Sequence, residues 1–142
     1  MPLPESIHLE VVTPERRLVS EVVDEVILPG SEGSLGVLPG HTPLLTTLGI
    51  GELVYRRGGD RRYVAIAWGF AEVLPERVSI LAEIAERAEG IDRERAAAAR
   101  DRALRRLRER AAETDFVRAQ AALQKAIIRL QVSQGIGPSE PS

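Results

Sequence analysis

The densest polar chemistry in the sequence runs from Glu86 through Arg87-Ala88-Glu89-Gly90-Ile91-Asp92-Arg93-Glu94-Arg95-Ala96 to Arg102. Arg95 and Arg102 stand seven residues apart, close to two turns of an α-helix. On a helix both guanidiniums therefore share one face near its positive N-terminus, where a phosphate is favoured. Further along, Lys125 and Arg129 are four residues apart and share a face in the same way. If the two segments fold against each other, four cations converge. Such a set can hold the phosphates of a nucleotide, with Asp92 accepting hydrogen bonds and Ile91 and Ala96 packing on a base. The same residues also fit a solvated helix face laced with ion pairs such as Asp101 with Arg105, and the spacing accommodates both readings.

Little else in the chain invites chemistry. The two histidines, His8 and His41, lie far apart, and no zinc-ligand spacing, serine nucleophile elbow or paired-carboxylate setting occurs. With no cysteine, disulfides, thiol catalysis and cysteine-ligated metals are excluded. The expectation is a non-catalytic chain with no metal and no required cofactor. The stretch from Pro29 to His41 is rich in glycine, but a phosphate loop needs a Lys-Ser/Thr pair after its last glycine and a helix next, and Pro39-Gly40-His41-Thr42-Pro43 forbids an immediate helix. It reads as tight turns between short strands, with glycine supplying positive φ. The run Arg105-Arg106-Leu107-Arg108-Glu109-Arg110 suggests a nucleic-acid contact. Glu109 interrupts it, Phe116 is the sole aromatic of the helical part, and the chain carries a net charge of −2, so no nucleic-acid partner is expected.

The phosphate-binding candidates need a frame, and the hydrophobic pattern supplies one in two parts. From Ser6 to Ala82 short apolar runs alternate with turn residues: Ile7, Leu9 and Val11; Val22-Val23; Val26-Ile27-Leu28; Leu44-Leu45; Leu53-Val54-Tyr55; Tyr63-Val64-Ala65-Ile66; Val78-Ser79-Ile80-Leu81. A spacing of about ten residues, with Gly58-Gly59-Asp60 between two runs, predicts an antiparallel β-sandwich. After Glu89-Gly90 the pattern becomes helical. Asp92 is a fitting N-cap, and Ala96, Ala99, Ala103, Leu107 and Ala111 form a narrow apolar stripe. Ala112-Glu113-Thr114-Asp115 offers a break, after which Phe116, Ala119, Leu123, Ala126, Ile127 and Leu130 form a second stripe, ended by Gly135, Gly137 and Pro138. The fold class is therefore α+β: a head over residues 1–88, an antiparallel two-helix hairpin over 89–134, and a flexible tail over 135–142. Stripes made mostly of alanine bury little area, and at about 25 cal/mol per Å² they hold the hairpin weakly, which suits an element that detaches.

Charge follows the same division. Residues 1–88 carry 13 acids and 8 bases, net −5, and residues 89–142 carry 8 acids and 11 bases, net +3. The hairpin is thus suited to an acidic partner or an anionic ligand. No stretch approaches the roughly twenty apolar residues of a membrane helix, and Met1 to Glu5 lacks the pattern of a signal peptide. No membrane insertion is expected, and a cytoplasmic, unprocessed chain is the simplest reading.

Val12-Thr13-Pro14-Glu15 and Gly33-Ser34-Leu35-Gly36-Val37-Leu38-Pro39-Gly40-His41-Thr42-Pro43-Leu44 closely resemble the epsilon subunit of F-type ATP synthases. Ile91-Asp92-Arg93-Glu94-Arg95-Ala96 is similar to that family's nucleotide motif, Ile/Leu-Asp-x-x-Arg-Ala, and Asp115 to Leu130 resembles its second helix. The resemblance covers residues 6 to 134 or so. It implies a head that binds the gamma subunit and the c-ring in the rotating central stalk, on the cytoplasmic face of the cell membrane. It also implies a hairpin that either folds on the head or extends into the alpha/beta hexamer and inhibits ATP hydrolysis, with ATP binding the folded form in some members. Carried over by position, the ATP residues are Glu86, Ile91, Asp92, Arg95, Ala96, Arg102, Lys125 and Arg129, and the inhibitory basic face is Arg105, Arg106, Arg118, Lys125 and Arg129. Two positions depart from the family pattern. Lys125 keeps the charge of an arginine but not its bidentate fork. Ser34 stands where many relatives have an acid facing the c-ring, so that contact rests on Leu35 and His41.

Overall fold

The computed structural model describes residues 3–109 and 113–135. Seven strands form one sheet: β1 (Ile7–Val12), β2 (Arg17–Val23), β3 (Glu25–Gly30), β4 (Gly33–Val37), β5 (Leu44–Arg57), β6 (Asp60–Val73) and β7 (Arg77–Arg87). Their order is β2-β1-β7-β6-β5-β3-β4, and every pair is antiparallel except β1 with β7. The sheet folds over on itself, so that Leu9 and Val19 from one end and Val26, Leu28 and Val37 from the other share one core with Leu53, Ile66 and Ile80. A β-sandwich followed by two helices is the architecture the periodicity predicts.

Strand length is the main departure from the sequence pattern. Leu44-Leu45 and Leu53-Val54-Tyr55 are two parts of one 14-residue strand, β5, and the Tyr63–Ile66 run continues to Val73 as β6. The apolar alternation is interrupted because these strands change the face they turn to the core. Near the β5–β6 turn, Leu53, Tyr55, Val64, Ile66 and Ala85 point inward; past the middle, Leu48, Ala71, Val73, Val78, Ile80 and Ala82 do so, which reverses the parity in each of the three strands. The reversal falls at Trp68 (φ 61) and Gly69 (φ 143). A Cβ at Gly69 would lie 2.0 Å from the Leu81 carbonyl oxygen, so only glycine fits this corner.

The reversal creates two outer faces. On one, Leu45, Phe70 and Leu81 are exposed. On the other, Val54, Ala65 and Ala67 are buried outside the sandwich core, under the hairpin. A 3₁₀ turn (Ala88–Gly90) leads to α1 (Arg93–Arg108) and α2 (Glu113–Ser133). Asp92 caps α1, its Oδ1 accepting from the Arg95 backbone N–H at 3.1 Å. The helices run antiparallel, since Arg93 at the start of α1 donates to the Ser133 carbonyl at the end of α2, at 2.8 Å.

Helix α1 packs almost wholly on α2, and α2 lies on β5, β6 and β7. This arrangement corrects the second stripe. Phe116 and Ile127 are exposed, at 41% and 44%, while Val132 is fully buried, because α2 must serve two neighbours and its buried positions follow two faces. Ala96 and Ala103 of α1, with Ala119 and Ala126 of α2, are buried, each pair seven residues apart, so small side chains let the backbones approach. Ala111, Ala112, Gly137, Pro138 and the tail from residue 136 onward lie outside the described residues.

Candidate functional site

The seam between head and hairpin opens into a cleft of about 820 Å³. Four segments wall it. The end of β7 and the 3₁₀ turn bring Glu83, Ile84, Ala85, Glu86, Gly90 and Ile91; α1 brings Asp92, Arg95, Ala96, Ala99 and Arg102; Arg129 reaches in from α2. The fourth wall is the β1–β2 turn, with Thr13, Glu15 and Arg16. Seven of the eight residues that the sequence groups as a phosphate site therefore line one cavity: Glu86, Ile91, Asp92, Arg95, Ala96, Arg102 and Arg129.

The acids of the cleft are partly engaged. Arg129 Nε donates to Glu86 Oε1, a half-buried pair that ties α2 to β7. Asp92 is committed to the helix cap. Arg95 and Arg102, by contrast, are exposed and have no carboxylate within ion-pair distance among the described residues. Two guanidiniums without counter-ions share one side of α1, Arg95 in its positive first turn and Arg102 about two turns further on; beside the buried methyl of Ala96 and the half-buried Ile91, they form a place that can accept phosphate oxygens next to an apolar group.

Lys125 is elsewhere. Its Nζ stands 5.1 Å from the centroid of the Trp68 ring, and its side chain lines the apolar seam with Ile50, Ala67, Ile84 and Ile128. A cation over an indole face is a favourable contact, and Trp68 is presented for it by the corner in β6. Nearly two turns on, Gln131 Nε2 donates to Glu52 Oε1 at 3.0 Å. Lys125, Arg129 and Gln131 thus fasten α2 to three different strands.

The remaining candidates are dispersed. Arg105 and Arg106 are exposed in the last turn of α1, and Arg118 is exposed near the start of α2. Ser34 is exposed on the edge strand β4, Leu35 packs partly into the core, and His41 lies in the bend that follows, its Nδ1 2.7 Å from the Thr42 carbonyl. Away from the cleft, burial first and then the hydrogen bond to Glu21 push the Tyr55 hydroxyl up to about 12; it donates to Glu21 Oε2 at 2.9 Å. Among the described residues no group of three His, Asp or Glu side chains could hold a metal ion, and no helix is long and apolar enough to cross a membrane.

Sequence reasoning missed the β1–β2 turn because Thr13, Glu15 and Arg16 are some seventy residues from Glu86, and only the strand order, with β1 beside β7, brings them together.

Comparison with known proteins gives concordant results. Residues 6–88 match the family described as ATP synthase, delta/epsilon chain, β-sandwich domain, and residues 89–134 match its long α-helix domain. The ATP synthase epsilon chain of Syntrophobacter fumaroxidans is 58% identical over 103 residues, 72% of this chain and 77% of the relative. That of Koribacter versatilis is 52% identical over 103 residues, 72% of each chain. A chain in the cryo-EM structure of the Euglena gracilis mitochondrial ATP synthase, comprising OSCP, F1 and c-ring, superposes with a TM-score of 0.82 at 27% identity, covering 94% of this chain and 84% of the other.

Proposed function

Because the chain belongs to the ATP synthase delta/epsilon family through both its β-sandwich and its helical domain, we propose that it is a nucleotide-sensitive brake of an F-type ATP synthase. Its bacterial relatives are epsilon chains, and it is a non-catalytic subunit of the central stalk. In this reading the head, residues 1–88, joins the gamma subunit and the c-ring, the latter through the turn bearing Ser34, Leu35 and His41, and holds the chain peripherally at the cytoplasmic face of the membrane. The hairpin, residues 89–134, is the moving part.

Folded on the head, as here, the hairpin leaves the alpha/beta hexamer free. Extended, it presents Arg105, Arg106 and Arg118 to acidic groups of the hexamer. Lys125 and Arg129 join them once they leave Trp68 and Glu86. The same cations serve both states, so each state competes with the other. ATP would enter the cleft with its phosphates on Arg95, Arg102 and Arg129 and its base near Ile91 and Ala96. The observation that carries this reading is that the cleft has walls from both head and hairpin and exists only while they are together. A ligand of such a cleft stabilises the folded state by its differential affinity and releases the brake.

Deleting everything after Ala88 tests the regulatory claim. The complex should still assemble, because the head keeps its own core, and should hydrolyse ATP faster than the parent. Unchanged hydrolysis would show that the hairpin is no brake.

A further inference from the structure

We infer that Arg16, on the β1–β2 turn of the head, is a phosphate ligand of the cleft and occupies the fourth cationic position from which Lys125 is absent. The inference rests on the nucleotide reading above and adds a residue from the opposite wall.

Two observations support it. The first is charge without a partner. Arg17, the next residue, lies 3.9 Å from Glu10, whereas Arg16 has no carboxylate within 4.0 Å among the described residues and lines the same cavity as Arg95 and Arg102. Three guanidiniums free of ion pairs thus border one cleft from two sides. The second is a built turn. The Thr13 hydroxyl oxygen accepts from the backbone N–H of Glu15 and of Arg16, each at 3.3 Å, and donates to the Arg16 carbonyl, also at 3.3 Å. The Thr13 N–H donates to that carbonyl as well, at 2.9 Å. Four hydrogen bonds fix the backbone from which the Arg16 side chain leaves, so less order is lost when it grips a ligand.

The placement has a mechanical consequence. Arg95, Arg102 and Arg129 move with the hairpin, while Arg16 stays with the head. A polyphosphate held by both groups is a tie across the seam, and Arg16 converts binding at the hairpin into docking of the hairpin. Lys125 cannot do this, being on the hairpin and already engaged with Trp68.

Calorimetry with ATP on the full chain, in four variants beside the parent, tests the inference. Arg16→Ala should weaken ATP about tenfold, the usual effect of losing one charge-assisted contact to phosphate, and Arg16→Lys should fall between it and the parent. Lys125→Met should change affinity by less than about threefold, through its seam contact alone. Without ATP, Arg16→Ala should melt at the parent's temperature, because Thr13 and the backbone build the turn; with ATP, its upward shift in melting should be smaller. If Arg16→Ala binds as the parent does while Arg95→Ala has lost ATP, the Arg16 assignment is overturned and the nucleotide reading stands. If the parent itself binds no ATP at millimolar concentration, both are overturned.

Discussion

Replacing Gln131 by leucine should loosen the hairpin from the head, and the size of the effect follows from one buried carboxylate. Glu52 is 7% exposed, the one charged side chain in the buried class among the described residues, and α2 covers it. Its Oε1 accepts from Gln131 Nε2 at 3.0 Å. Leucine keeps the apolar bulk at position 131 but takes away that donor, and depriving a buried polar group of a hydrogen bond costs about 1–3 kcal/mol. The cost falls on the docked state alone, because undocking returns Glu52 to water. The ratio of docked to undocked hairpin should therefore drop roughly 5- to 150-fold. Glu52→Leu combined with Gln131→Leu removes both members of this hydrogen bond and should dock more firmly than Gln131→Leu alone. Native-state hydrogen exchange of the α2 amides measures both. An unchanged exchange rate in Gln131→Leu, or a double variant as loose as the single, would refute the role assigned to this contact.

Three further outcomes follow from the same structure. Lys125→Met, which keeps the aliphatic stem and removes the charge, should weaken docking by about 0.5–1 kcal/mol and shift the emission of Trp68, the sole tryptophan of the chain; unaltered emission would separate the two side chains. Gly69→Ala should destabilise the head by about 3 kcal/mol or more in urea unfolding, since its Cβ meets the Leu81 carbonyl at 2.0 Å; a stable variant would mean the corner is not fixed there. The Tyr55 hydroxyl, raised to about 12 from an ordinary 10.0, keeps its proton longer folded than unfolded. Its contribution is complete below pH 10 and is lost as pH rises to about 12, a fall on the order of 2–3 kcal/mol that Tyr55→Phe should abolish in alkaline unfolding curves.

Much of this was legible in the residues, for physical reasons that also mark where legibility ends. The change of period at Glu89-Gly90 and the Asp92 cap are local signals, and α1 begins at Arg93 with Asp92 as its cap. Arg95, Arg102 and Arg129 could be grouped because helix spacing puts residues on faces and a hairpin brings faces together. Lys125 was grouped with them on the same rule. It points away because Trp68, in a conformation that no alternation pattern foretells, receives it on the head. The stripe through Phe116 and Ile127 failed for a related reason: a helix with two packed faces has two stripes, and a single period cannot show which residues each face uses. Thr13 and Arg16 were out of reach because their proximity to the cleft depends on β1 lying parallel to β7, a long-range pairing with no trace in local periodicity. The reversal of core-facing parity at Gly69 likewise appeared only as a broken alternation, which reads as a turn.

A nucleotide between head and hairpin should hold the hairpin down. The most direct measurement is the exchange rate of the α2 amides over residues 121–132 at increasing ATP. Exchange should slow progressively, by a factor that grows as one plus the ratio of free ATP to its dissociation constant, with no slowing in Arg95→Ala. Exchange in the parent that is unchanged at saturating ATP, or that quickens, would contradict it.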